Sequence, residues 1–106
     1  WIAFSSKPKG TLTIDEGAVR AILKRGKSLL PSGIIRVDGE FQIGTSVQFR
    51  GESGDILGTG LVNYSAKDIR EIMGLRSGKI KKRLGYKPFD EVIHRDNLAI
   101  TTALDI

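Results

Sequence analysis

The hydrophobic pattern changes period several times along these 106 residues. From Asp15 to Arg25, the apolar residues Ala18, Val19, Ile22 and Leu23 recur at helical spacing, and Arg20, Lys24 and Arg25 fall largely off that stripe. Asp15 suits the N-cap, because its carboxylate can accept from a free N–H of the first turn. Gly26 suits the stop, because it tolerates left-handed backbone. The spacing therefore predicts a helix over Asp15–Arg25. A second is expected over Ser65–Met73, with Ser65 and Asp68 as a capping pair, Ile69, Ile72 and Met73 inward, and Gly74 at its end. A third, Ser77–Leu84, stops at Gly85; only Ile80 and Leu84 are apolar in it.

Between the helices the period shortens to two. A short strand begins at Thr11. The runs IIRV and FQI flank Asp38-Gly39, a dipeptide suited to a tight hairpin, so a hairpin is expected there. Ser46 to Phe49 alternates, with Val47 and Phe49 on one face. Glu52-Ser53-Gly54-Asp55 turns the chain into a longer strand carrying Leu61, Val62 and Tyr64, in which Gly58 and Gly60 mark a bend or bulge. A last strand, Glu91 to Thr101, carries Val92, Ile93, Leu98 and Ile100 and breaks at Asp96-Asn97. Short strands, turn signals and small helices together predict a mixed α/β, mainly β fold: a closed or nearly closed barrel with two or three helices at its rim. Residues 1–106 make one domain, with the ends, 1–9 and 101–106, loosely ordered. Phe41, Phe49 and Tyr64 are expected in the core, with Leu29 and Leu30. Trp1 and Phe4 close one end of the barrel or meet a missing domain.

Composition narrows the chemistry. There is no cysteine, which removes disulfides, thiolate zinc sites and cysteine nucleophiles. No apolar run approaches a membrane span, which needs about 20 residues, so no membrane partner is expected. The net charge of +5 favours weak contact with polyanions, or serves solubility alone. His94 is the only histidine, and neither a nucleophile nor metal partners stand at recognisable spacing from it, so it reads as structural. Asp15/Glu16 reads as helix capping, and Asp90/Glu91 precedes a strand. GTGLVNYS holds two glycines but no following lysine of a phosphate-binding loop.

The stretch TLTIDEGAVRAILKRGKSLLPSGIIRVDGEF (Thr11 to Phe41) places strand, helix, loop and strand as in the PUA domain, a small RNA-associated β-barrel module. Within it, DEGAVRAILKRGKSLLPSGI resembles the form at the C-terminus of bacterial glutamate 5-kinases, as do GLVNYSAKDIREIMG (Gly60 to Gly74) and LGYKPFDEVIHRDNLAI (Leu84 to Ile100). The three segments occur in one order and cover most of the chain, with 39–58 the least distinctive. The resemblance implies a PUA-like pseudobarrel without chemistry of its own. It further implies that Trp1 follows a missing amino-acid-kinase domain of the same chain, which would use ATP and magnesium. The longer protein would be cytoplasmic and homo-oligomeric, and would phosphorylate the γ-carboxylate of glutamate in the first step of proline synthesis. No cofactor is expected on these 106 residues themselves.

In RNA-binding PUA domains the first helix and the strand after its loop form the nucleic-acid cleft. Carried over, this implicates Arg20, Lys24, Arg25, Lys27 and Ser28. A second candidate is the basic run RSGKIKKR, with Arg76, Lys79, Lys81, Lys82 and Arg83 and no acid among them. Each has another reading, as the solvated face of an amphipathic helix or as a patch meeting an acidic surface elsewhere in the longer protein. Few aromatics are free to stack bases, so RNA binding would be weak and sequence-indifferent. The alternatives that stay open are the PUA domain of an RNA-modification enzyme and a purely structural or protein-interaction module.

Overall fold

The computed structural model describes residues 7–101. Its centre is a five-stranded sheet: β1 (Gly10–Ile14), β2 (Ile34–Gly39), β3 (Ser46–Arg50), β4 (Ile56–Leu61) and β5 (Leu98–Ile100), in the spatial order β2-β1-β3-β4-β5. Neighbours run antiparallel except β1 and β3, which are parallel. Alternation is clean in β1, where Leu12 and Ile14 are buried and Thr11 and Thr13 half-buried.

Two bulges break the period of two. Thr13 faces Arg36 and Ile14 faces Ile34, which leaves Ile35 as the extra residue. Ile34 and Val37, three apart, can then both point inward while Ile35 is exposed. Likewise Phe49 faces Gly58 and Arg50 faces Ile56, so Leu57 is extra. The bend expected around Gly58 is this bulge.

The sheet's edges, β2 and β5, are not paired with each other. The chain closes the gap just outside them. Leu29, ahead of β2, and Ile93, ahead of β5, form an isolated antiparallel bridge. Leu29 N–H donates to Ile93 C=O at 2.9 Å, and Leu29 C=O accepts from Ile93 N–H at 3.3 Å and from Val92 N–H at 2.8 Å. The result is a nearly closed barrel whose interior holds Leu12, Ile14, Phe49, Tyr64 and Ile93, all fully buried.

Helix α1 (Glu16–Arg25) is capped by Asp15 and ends in left-handed Gly26. Helix α2 (Ala66–Ile72) is capped by Ser65, whose hydroxyl accepts from Asp68 N–H, and buries Ile69 and Ile72. The third expected helix is a 3-10 turn, Ser77–Lys79, running into a short α3 (Ile80–Leu84) that is anchored by buried Ile80 and ended by Gly85. The loop after α3 is tied down by buried Tyr64, whose hydroxyl donates to Phe89 C=O.

The structure corrects four expectations. There is no hairpin at Asp38-Gly39. β2 pairs with β1, and the chain beyond Gly39 crosses over, buries Phe41 and enters β3. The long strand ends at Leu61, because Val62 N–H turns to Thr45 C=O and Asn63 N–H to Val92 C=O. The last strand keeps only Leu98–Ile100. Arg95–Asn97 is a 3-10 turn, and Ile93 forms the separate bridge. Leu29 is buried, but Leu30 is 43% exposed. Trp1, Phe4 and 102–106 lie outside the described residues. Lys9 is tied to the sheet by its N–H on Ser46 C=O at 2.8 Å.

Candidate functional site

The turn from β1 into α1 sets the first site. Asp15 Oδ1 accepts from Ala18 N–H at 2.8 Å, and Asp15 N–H donates to Gly33 C=O at 2.8 Å. The capping residue thereby fastens the helix start to the loop that precedes β2. Gly33 is required there, since a Cβ on it would lie 2.6 Å from Ala18 Cβ. Between the helix and the loop lies a cleft of about 370 Å³. Ala18, Ala21 and Leu30 supply its apolar wall, and Asp15, Lys27, Ser28 and Ser32 its polar rim. Lys27 is placed by the helix stop, with its N–H on Ala21 C=O at 3.1 Å, and Ser28 Oγ accepts from Arg95 N–H at 2.8 Å.

The five residues expected on this surface therefore separate. Lys27 and Ser28 line the cleft. Arg20, Lys24 and Arg25 line a different hollow of α1, with Glu16 and Val19. Arg20 is paired there with Glu16, one helical turn earlier, at 2.8 Å, and both are well exposed. Such a pair is worth roughly 0.3–0.5 kcal/mol and lowers the charge Arg20 offers a ligand. The sequence points to the helix-to-loop surface from Gly17 to Gly33 but singles out only its basic residues and Ser28; Ala18, Ala21, Leu30 and Ser32 are not named as cleft residues, and Asp15 reads only as a cap. The small residues Gly17, Ala18 and Ala21 on one side of α1 were the available signal.

The second patch surrounds α3. Lys79, Lys82 and Arg83 line a hollow of about 410 Å³ with half-buried Leu75. Arg76 and Lys81 are exposed outside it. Among the described residues none of these five cations forms a salt bridge, whereas Arg20, Arg36, Arg50, Arg70 and Lys87 all do.

Two tyrosines are perturbed. Burial pushes the Tyr64 hydroxyl above its ordinary pKa, opposed by its hydrogen bond to the Phe89 backbone. The exposed Tyr86 is raised by its hydrogen bond to the Asp68 carboxylate. His94 Nδ1 accepts from Asp96 N–H at 3.1 Å and caps the 3-10 turn, which is the structural use expected of it. Among the described residues no group of three or more His, Asp or Glu side chains could hold a metal ion. No helix among them is long and apolar enough to cross a membrane. What the arrangement offers is charge and shape for contact.

The comparisons with known proteins agree with this geometry. Residues 10–84 match the family model of the PUA domain. The chain is 56% identical over 100 residues to the glutamate 5-kinase of Syntrophus aciditrophicus, a match that covers 94% of this chain and 26% of that protein. It is 49% identical over 105 residues to the glutamate 5-kinase of Picosynechococcus, covering 99% and 28%. It thus spans about a quarter of the length of the curated relatives it matches. Among solved structures, a PUA domain protein of Aeropyrum pernix superposes with a TM-score of 0.59 at 21% identity, covering 81% of this chain and 41% of that one. That likeness bears on the fold, a mainly β mixed barrel. With the family model spanning most of the described residues, the chain belongs to the PUA domain family.

Proposed function

We propose that these residues are the non-catalytic accessory PUA domain of a glutamate 5-kinase. That enzyme transfers phosphate from ATP to the γ-carboxylate of glutamate in the first step of proline synthesis. The observation that carries this is the identity of about one half to glutamate 5-kinases over nearly the whole chain. In this reading the remaining length of the protein is a cytoplasmic amino-acid-kinase domain that holds ATP, magnesium and glutamate and assembles as a homo-oligomer. The described residues contribute surfaces only. In support, the hollows beside α1 and α3 offer charge and shape for contact: Asp15, Lys27, Ser28 and Ser32 around an apolar wall in one, Glu16, Arg20, Lys24 and Arg25 in the second, and Lys79, Lys82 and Arg83 beside Leu75 in the third.

The test is removal. The longer protein without this domain should still turn over glutamate, with altered proline inhibition or altered assembly state. If both stay unchanged, an accessory role in the enzyme is wrong.

A second reading, weak RNA contact, is favoured by the basic faces of α1. Lys24 and Arg25 are exposed without an ion pair among the described residues, and Lys27 stands at the mouth of the Asp15–Gly33 cleft. About three or four phosphate contacts give a log–log salt slope of roughly −2 to −3 for a single strand and an affinity on the order of micromolar or weaker. NMR titration with a short structured RNA at low salt should move amides of Arg20–Ser28. Shifts scattered elsewhere, or none, would dismiss this reading.

A further inference from the structure

We infer that the α3 patch is a docking surface for an acidic protein surface, supplied by the kinase portion of the same polypeptide. The inference rests on the glutamate 5-kinase reading, since it needs the longer chain. Its starting point is an asymmetry of charge. Arg36 and Arg50 share Asp38, Arg70 holds Glu40, and Arg20 holds Glu16. The cations of 76–83, like Lys24 and Arg25 on α1, have no ion pair among the described residues, but the α1 hollow has Glu16 in its lining and the α3 hollow does not. Lys79, Lys82 and Arg83 gather about one hollow with no acid in its lining. Like charges so placed raise the folding free energy unless something negative covers them.

The hollow's chemistry selects among anions. Leu75, half-buried against the core, lines it beside Lys79, Lys82 and Arg83, and lysine side chains carry aliphatic stems that can cover apolar surface. A protein surface carrying an apolar side chain between glutamates or aspartates fills such a site, because its methylenes cover Leu75 while its carboxylates meet the cations. A nucleic-acid backbone brings charge but nothing to cover leucine. Nor does the neighbourhood favour bases. Tyr86, the nearest aromatic in the sequence, has its hydroxyl on Asp68, so a base stacked on it would bring its phosphate toward a carboxylate. The site is also firmly mounted. Ile80 is fully buried beneath α3, and Ser77 Oγ donates to Asp90 C=O at 3.0 Å, fixing the turn that presents Lys79. Curated relatives are nearly four times as long as this chain, so in such a protein most of the polypeptide lies outside the described residues and is available as the partner.

Amide hydrogen exchange over 76–84 tests this, comparing the 106-residue chain with the full-length protein. In isolation α3 is five residues long and exchanges quickly. Docking that is tenfold populated slows it on the order of tenfold in the full-length protein. That slowing should vanish in full-length K82E/R83E. It should also vanish in wild type at 1 M salt, where screening falls to about 3 Å. The salt arm needs no substitution, so a variant that fails to fold does not obscure the result. Equal exchange in the short and full-length wild-type proteins overturns the inference. So does slowing that survives both charge reversal and salt, or that appears only when RNA is added. ADP release with glutamate by the same full-length sample checks the kinase reading separately. Slowed α3 without turnover would sink that reading and, with it, the kinase portion as the occupant, whereas turnover without slowing would overturn the docking alone.

Discussion

Leu29 and Ile93 are joined backbone to backbone, although 64 positions of sequence number separate them and neither belongs to a strand of the sheet. Their bridge does for the barrel what a β2–β5 ladder would do, and both side chains are fully buried beneath it. Leu29→Ala should therefore cost about 2–5 kcal/mol, the range for a truncated core leucine. Leu30→Ala, one residue on and 43% exposed, should cost well under half of that. Urea midpoints of the two variants give the comparison.

Gly58 sits where β4 receives β5. A Cβ on it would lie 2.2 Å from Ala99 C=O and 2.7 Å from the Phe49 ring, and the first of these is backbone that cannot swing aside. Gly58→Ala should destabilise by about 1–3 kcal/mol and loosen β5, visible as faster exchange at Thr101 N–H, which donates to Leu57 C=O. A Cβ on Gly78 would meet nothing within 4 Å, so Gly78→Ala should stay within about 0.5 kcal/mol of wild type.

Alkaline pH should find Tyr64. Its folded pKa is raised above the unfolded value of 10.0, chiefly by burial, so folding favours the protonated hydroxyl. That contribution is complete below pH 10 and is lost as pH climbs through the higher folded pKa. Stability should fall on the alkaline side from about pH 10 upward. Tyr64→Phe should cost about 1 kcal/mol at neutral pH, because Phe89 C=O loses its donor, and should flatten the alkaline fall. Denaturant midpoints from pH 8 to 11.5 settle the sign.

Much of the fold is legible in the sequence, and what is not has definite causes. Asp15 and Gly26 are readable as caps because capping depends on neighbours within one turn. Val47 and Phe49 are readable as one face because the pleat alternates locally. The hairpin expected at Asp38-Gly39 does not form, because a turn dipeptide says nothing about which strand the preceding residues pair with. Here β1 already occupies the edge of β2, and Arg70 on α2 donates to Gly39 C=O at 2.8 Å. The parallel β1–β3 pairing and the Leu29–Ile93 bridge join distant segments and leave no local pattern. On α1 the basic residues look like one group in the string. In space Arg20, Lys24 and Arg25 sit in one hollow, and Lys27 lies past the helix stop in another.

That separation has a measurable consequence for RNA. Arg20 is engaged by Glu16, whereas Lys24 and Arg25 have no ion pair among the described residues. Replacing both Lys24 and Arg25 by Gln should flatten the salt slope by roughly 1.4, at about 0.7 per lost phosphate contact. Arg20→Gln alone should change it by less. Fluorescence anisotropy at several salt concentrations reads both.

The central claim is that these residues handle no chemistry and serve a kinase that does. ADP release from ATP in the presence of glutamate, measured side by side for the 106-residue chain and the full-length protein, tests it most directly. The account predicts turnover by the full-length protein and none by the 106-residue chain. Turnover by the short chain, or its absence from both, would contradict it.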